Sequence, residues 1–127
     1  MAARYTLYHH PTCSKSINAL TYLQTRLQPT SFNAVIYTTT PPTAQTLKEV
    51  FALLPKTQLP TAVRPDECSE AEHAQVQNGS VDDVVDVVMV DIVKRLQRPI
   101  LVDWIAGKAA IGRPMDQILE LLEENKE

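Results

Sequence analysis

The period of the apolar positions changes several times along the chain, and each change marks an element. Residues 4–8 (Arg-Tyr-Thr-Leu-Tyr) form a short run of β-favouring side chains and predict a first strand. It ends at His9-His10-Pro11, because proline removes a ladder donor and constrains the residue before it. From a cap at Thr12 or Ser14 the pattern becomes helical, with Leu20, Leu23 and Leu27 on one face and Pro29 preventing continuation. Residues 31–37 alternate, Phe32, Ala34 and Ile36 on one side and Asn33, Val35 and Tyr37 on the other, which predicts a second strand. After a turn over residues 38–42, Thr43 caps a second helix that carries Leu47, Val50, Phe51 and Leu54 on one face.

Residues 55–79 hold Pro55, Pro60 and Pro65 and then a polar run, and read as short helical pieces and loop. Ser80-Val81-Asp82-Asp83 is a capping box of the Ser-x-x-acid kind, followed by Val81, Val84, Val85, Val88, Ile92 and Leu96 at helical offsets. The valines favour a strand locally. The span of sixteen residues is long for one, however, and Asp82, Asp86, Lys94 and Arg95 occupy a polar side, so one helix is expected through Leu96. Pro99 opens a second β region: a strand over 100–103, a turn at Ala106-Gly107-Lys108 and a partner over 109–111. Pro114 suits the first position of a last helix, with Ile118, Leu119 and Leu122 facing inward. The order βαβα, helices, ββα predicts an α/β, thioredoxin-like core with a mixed sheet. A helical insertion at about residues 56–97 separates its two halves within a single domain over 1–127.

Composition narrows the function classes. A chain of 127 residues with 44% hydrophobic and 21% charged residues is an ordinary globular domain. Its net charge of −3 disfavours a nucleic-acid partner. No apolar run approaches the roughly 18 residues of a membrane span, so no membrane partner is expected. The opening residues lack a positive end followed by an apolar stretch, so no secretory signal is expected. Two cysteines, Cys13 and Cys68, make no disulfide framework. A cytoplasmic monomer is the expectation.

Cys13 is the sharpest chemical feature, because it falls where strand one gives way to helix one. Unpaired N–H groups and the helix dipole at such a start favour a thiolate and can hold an oxyanion. Ser14, Lys15 and Ser16 add donors and charge, and His9 lies just upstream. Adjacent histidines on an extended segment point to opposite faces, which argues against zinc at His9, His10 and Cys13. No bound metal or organic cofactor is expected.

Tyr8-His9-His10-Pro11-Thr12-Cys13-Ser14-Lys15-Ser16 resembles the His-Asn-Pro-x-Cys-x-x-Ser signature of the glutaredoxin-coupled arsenate reductases and the related Spx-type proteins. Thr40-Pro41-Pro42-Thr43, Arg98-Pro99-Ile100-Leu101-Val102 and Gly112-Arg113-Pro114 resemble that family's later landmarks, in family order. The resemblance implies Cys13 as the nucleophile that attacks arsenic, with His9 and Ser16 stabilising its thiolate. It implies Arg98 and Arg113 as oxyanion-binding residues, with Arg64 the candidate for a third, and Pro99 as the cis-proline of thioredoxin-like folds. It implies arsenate or a similar oxyanion as substrate, glutathione as reductant and glutaredoxin as protein partner. Guanidinium groups suit these roles, since they bind tetrahedral oxyanions through paired hydrogen bonds and lower a neighbouring thiol's pKa.

Two departures stand out: His10 replaces the usual asparagine, and Ile17 replaces the arginine that commonly follows the serine. The Cys-x-x-Ser spacing lacks the second cysteine of a dithiol switch, so a monothiol must borrow reducing power. Cys68 lies in a polar stretch outside any motif and reads as a bystander more than a resolving thiol, and His73 as solvated surface. Two other functions fit the same residues: an Spx-type regulator that binds a protein partner, and a glutathione-dependent disulfide reductase whose arginines bind glutathione carboxylates.

Overall fold

The computed structural model describes residues 3–124. Four strands, β1 (Tyr5–His9), β2 (Phe32–Ile36), β3 (Ile100–Asp103) and β4 (Lys108–Ile111), form one sheet in the order β2-β1-β3-β4. β1 runs parallel to β2, and the β1–β3 and β3–β4 pairs are antiparallel, so the sheet is mixed. Helices α1 (Ser14–Arg26) and α2 (Ala44–Ala52) follow the first two strands. α3 (Glu70–Asn78), α4 (Val81–Met89) and α5 (Ile92–Arg95) lie between the halves, and α6 (Asp116–Glu124) closes the order. This is the thioredoxin-like arrangement with helices inserted between its halves. Among the described residues no helix is long and apolar enough to cross a membrane.

Alternation along the strands sorts the core into two layers. Leu7, Leu101 and Ala110 face α1 and α6, where they meet Ala19, Leu23, Ile118 and Leu121. Tyr8, Ile100, Val102 and Ile111 face the other way, against Leu47, Val50 and Phe51 of α2 and Val84, Val85 and Val88 of α4. Each fully buried leucine or isoleucine among them contributes about 1.5–3 kcal/mol relative to exposure.

Three expectations are revised. The helix expected through Leu96 breaks into α4 and α5, because the Asp91 carboxylate accepts from the Lys94 N–H and starts a new helix there. The stretch before Ser80 holds a full helix, α3, with a reciprocal capping box between Ser69 and Glu72, alongside 3-10 turns at Leu59–Ala62 and Pro65–Glu67. The last helix begins at Asp116 rather than Pro114; Ile118 is buried and Leu122 packs partly buried against the core as expected, while Leu121 is buried in place of Leu119. Trp104, beside the hairpin, is 41% exposed and donates its indole N–H to Thr6 Oγ1 at 2.8 Å.

Candidate active site

The carboxyl end of β1 delivers the chain to Cys13, which is itself the N-cap residue of α1, in place of Thr12 or Ser14. Its side chain makes no capping hydrogen bond of full geometry, but the half-buried sulfur lies near enough to the Lys15 and Ser16 N–H groups for both to act on it. Arg113 Nη2 donates to Cys13 Sγ at 3.2 Å. The same side chain donates through Nε to the carbonyl of Arg98 at 2.7 Å, which fixes the guanidinium between that backbone and the sulfur. Burial pushes the Cys13 thiol up. The Ser16 N–H, the Arg98 guanidinium, the Lys15 N–H and the charge of Arg113 outweigh burial, and the thiol lies below its ordinary value.

The two arginines are brought together by backbone pairing at the end of the β3–β4 hairpin. Ile100 pairs Ile111, and one step further Gly112 N–H donates to Pro99 O at 2.8 Å. A Cβ on Gly112 would lie 2.7 Å from Pro99 Cγ and 2.8 Å from Ile118 Cδ1, so glycine permits this approach. The Arg98–Pro99 and Arg113–Pro114 peptide bonds are both cis. Arg64 arrives by a separate route. Its N–H donates to Arg95 O at 2.8 Å and Gln97 N–H to Ala62 O at 2.8 Å, flanking a bridge between Val63 and Leu96. Its charge reaches His10 and Tyr37 at the edge of the site.

His9 and Ser16 are buried beneath the thiol, and their contacts join β1 to α1. The Ser16 hydroxyl accepts from the His10 N–H at 2.9 Å and is paired with His9 Nδ1 at 2.7 Å. Ser16 therefore faces the sulfur with its backbone N–H while its side chain holds the end of β1. Burial pushes His9 down, only partly offset by Ser16, so its ring is neutral near pH 7 and brings no charge to the thiol.

A cavity of about 300 Å³ adjoins the site, with Arg113 and Gln97 on its wall and Pro60, Val63, Cys68 and Val76 around it. His73, expected on solvated surface, is half-buried here and pairs through Nε2 with Pro65 O at 2.9 Å. The Cys68 thiol donates to Arg64 O at 3.7 Å, and burial pushes it up. Tyr37 has no role in the sequence reading beyond its strand position. It ends fully buried beside His10, with ring centroids 6.0 Å apart. The register that pairs His9 with Ile36 places it there, and strand alternation alone does not show which buried tyrosine meets the site.

Comparison with known proteins identifies the family. A family described as "Protein of unknown function (DUF1687)" matches residues 3–112. The uncharacterized protein YfgD of Escherichia coli is 32% identical over 123 residues, covering 96% of this chain and 99% of its own. An arsenate reductase of Neisseria meningitidis is 32% identical over 117 residues, covering 91% of this chain and 96% of its own. The solved arsenate reductase from Vibrio cholerae superposes with a TM-score of 0.71 at 27% identity, over 96% of this chain and all of that one (100%). Matched over residues 3–112 by that family model and aligned with named relatives over nearly their whole length, the chain belongs to the DUF1687 family and, with those relatives, to the thioredoxin-like arsenate reductase family.

Proposed function

We propose that the protein is a monothiol oxidoreductase that reduces arsenate, with Cys13 as nucleophile and glutathione and glutaredoxin as the source of electrons. The carrying observation is Arg113 Nη2 at 3.2 Å from Cys13 Sγ, with the Arg98 guanidinium near enough to help lower the same thiol at the start of α1. This arrangement stabilises a thiolate and offers cationic donors to an incoming oxyanion. The Cys13 thiolate attacks arsenic, an S–As bond forms, and one arsenate oxygen leaves as water after protonation. Arg98, Arg113 and Arg64 hold the remaining oxygens. A glutathione thiolate then attacks the Cys13 sulfur. The S–As bond breaks, its electron pair passes to arsenic, and arsenite leaves as arsenic falls from pentavalent to trivalent. The Cys13–glutathione disulfide is reduced by glutaredoxin. Ser16 and neutral His9 serve by holding the α1 start against β1, and Pro99 by carrying Arg98 to the sulfur.

The test is arsenate-dependent NADPH oxidation with glutathione, glutaredoxin and glutathione reductase. Saturable activity that disappears in Cys13→Ser and falls steeply in Arg98→Ala is expected. Activity retained in Cys13→Ser overturns the mechanism. The apolar cavity beside Arg113 favours a second reading, in which an organic disulfide is the oxidant. Turnover of a small glutathione mixed disulfide without any oxyanion selects that reading.

A further inference from the structure

Three buried side-chain polar atoms lack a hydrogen-bond partner among the described residues, Gln97 Oε1, Tyr37 Oη and Arg98 Nε, and the last two lie in the row that leads to the thiol. Leaving such groups unsatisfied costs about 1–3 kcal/mol each, so their coincidence at one place asks for a reason. The sheet explains the coincidence. β1 pairs β2 through His9 and Ile36, so the next residues, His10 and Tyr37, are neighbours. β1 pairs β3 through Tyr8 and Ile100, and the same register continued past the strand ends brings Arg98 opposite His10. Tyr37, His10 and Arg98 thus form one row across the carboxyl end of β1, directly before Cys13. The Arg98 guanidinium is close enough to act on the phenol as a donor, yet no bond of acceptable geometry forms. In this state Arg98 instead donates through Nη1 to Val93 O at a long 3.3 Å.

We propose that Tyr37 is a positioning residue for Arg98: when an oxyanion binds at Cys13, Arg98 turns and donates to Tyr37 Oη, which fixes the guanidinium towards the anion. The phenol is 0% exposed and cannot drift, so it is a stiff reference point for a long, flexible side chain. Its hydroxyl is shielded from solvent, so it acts through Arg98 and not by touching the anion. The inference rests on Arg98 as an anion-binding residue, and goes beyond it in naming what sets that arginine's orientation.

The experiment is a double-mutant cycle of Tyr37→Phe and Arg98→Ala, read by the pH dependence of Cys13 alkylation with iodoacetamide, by protection of Cys13 with arsenate, and by KM and kcat. Tyr37→Phe keeps the ring and removes an unpartnered hydroxyl, so the melting temperature is expected to hold or rise. Arsenate protection and KM are expected to weaken roughly threefold or more, and the loss is expected to vanish in the Arg98→Ala background. A Tyr37→Phe protein with unchanged protection and KM overturns the proposal, as does an equal loss with and without Arg98. A lowered melting temperature with unchanged protection overturns it too, since the role is then structural. If the wild type reduces no arsenate, the reductase reading fails, while protection of Cys13 by arsenate still decides the role of Tyr37. Absence of any protection in the wild type overturns both.

Discussion

Gly112→Ala separates backbone freedom from close packing at the point where the two arginines meet. The backbone at Gly112 is not in the left-handed region, so alanine is conformationally allowed. Through the unfolded chain alone the change would stabilise by about 0.4–1 kcal/mol. The added methyl, however, would lie 2.7 Å from Pro99 Cγ, 2.8 Å from Ile118 Cδ1 and 3.1 Å from Pro99 Cδ. Ordinary carbon contacts lie at about 3.5–4.0 Å, so the neighbours must retreat by roughly 1 Å. The proline ring cannot swing aside because it is part of the backbone. Ile118 is fully buried, so displacing its Cδ1 disturbs packed neighbours. Overpacking of this kind costs about 1–3 kcal/mol, which exceeds the entropic gain. The expected net loss is about 1–2 kcal/mol, or a melting temperature lower by roughly 4–8 °C.

The same displacement reaches the thiol. Pushing Pro99 away moves the Arg98 carbonyl that holds Arg113 Nε at 2.7 Å, and with it the guanidinium on Cys13. Thermal melts and the pH profile of iodoacetamide alkylation should therefore change together, the profile moving to higher pH. Ile118→Val removes the Cδ1 atom of one clash. Alone it should cost about 0.5–1.5 kcal/mol, and in the Gly112→Ala background it should cost less or restore stability. A Gly112→Ala protein that melts at or above wild type with an unmoved alkylation profile would refute the packing argument.

Other outcomes follow from single contacts. Asp103 is fully buried and accepts from Arg4 Nε and Nη2 at 3.0 Å and from the Ile105 and Ala106 N–H groups at 3.1 Å. Asp103→Ala should cost about 2–4 kcal/mol by calorimetry and leave the Cys13 alkylation profile alone, since it sits at the other end of the sheet. Glu72 is held down to about 2, first by Arg95 at 2.6 Å and then by the Ser69 N–H. A depressed carboxyl contributes stability above its unfolded value, and that contribution is lost as pH falls towards 2. Glu72→Gln should therefore melt below wild type at pH 7, with the gap closing in strong acid. For Cys13 the lowered thiol means that alkylation reaches its plateau at a lower pH than for a free thiol. Arg113→Ala should move the profile upward, and an unmoved profile would deny the 3.2 Å contact its effect.

How much of this was legible in the sequence varied with the range of the interaction responsible. The strands and α1, α2 and α6 follow from local period and punctuation, and they appear within a residue or two of their expected bounds. The break at Asp91 did not, because an aspartate in a valine-rich helical pattern reads equally as a polar-face residue or as a cap. Helical pieces were expected before Ser80, but α3 was not placed among them although Ser69-Glu70-Ala71-Glu72 is a capping box, because the prolines before it dominate the local pattern. At the site, Cys13, Arg98 and Arg113 could be named from short motifs. Which atom of each acts could not: Ser16 presents its N–H to the sulfur while its hydroxyl ties down β1. Tyr37 comes to His10 through register, which leaves no local signature, and Gly112, though part of a short motif, shows its close approach to Pro99 only in the folded chain.

The two cysteines show what separates a lowered thiol from a raised one here. Burial pushes both upward and is the largest influence on each. At Cys13 the N–H groups at the start of α1 and two guanidinium groups reverse it. At Cys68 the charge of Arg95 pulls the same way, but Arg95 is itself committed to Glu72, and Glu72 and Glu67 push the thiol up again. Cys68 therefore stays protonated on the wall of the cavity that Arg113 shares, donating its hydrogen to Arg64 O. A resolving thiol must attack as a thiolate, and an attacking sulfur loses rate with every unit by which its pKa exceeds ambient pH. Under the proposed mechanism Cys68 is thus poorly suited to close a disulfide with Cys13, and the second sulfur has to come from outside the chain. If so, Cys68→Ala should leave turnover with glutathione unchanged. A loss of turnover in that variant, with the Cys13 profile intact, would make the reductant internal and the glutathione step wrong.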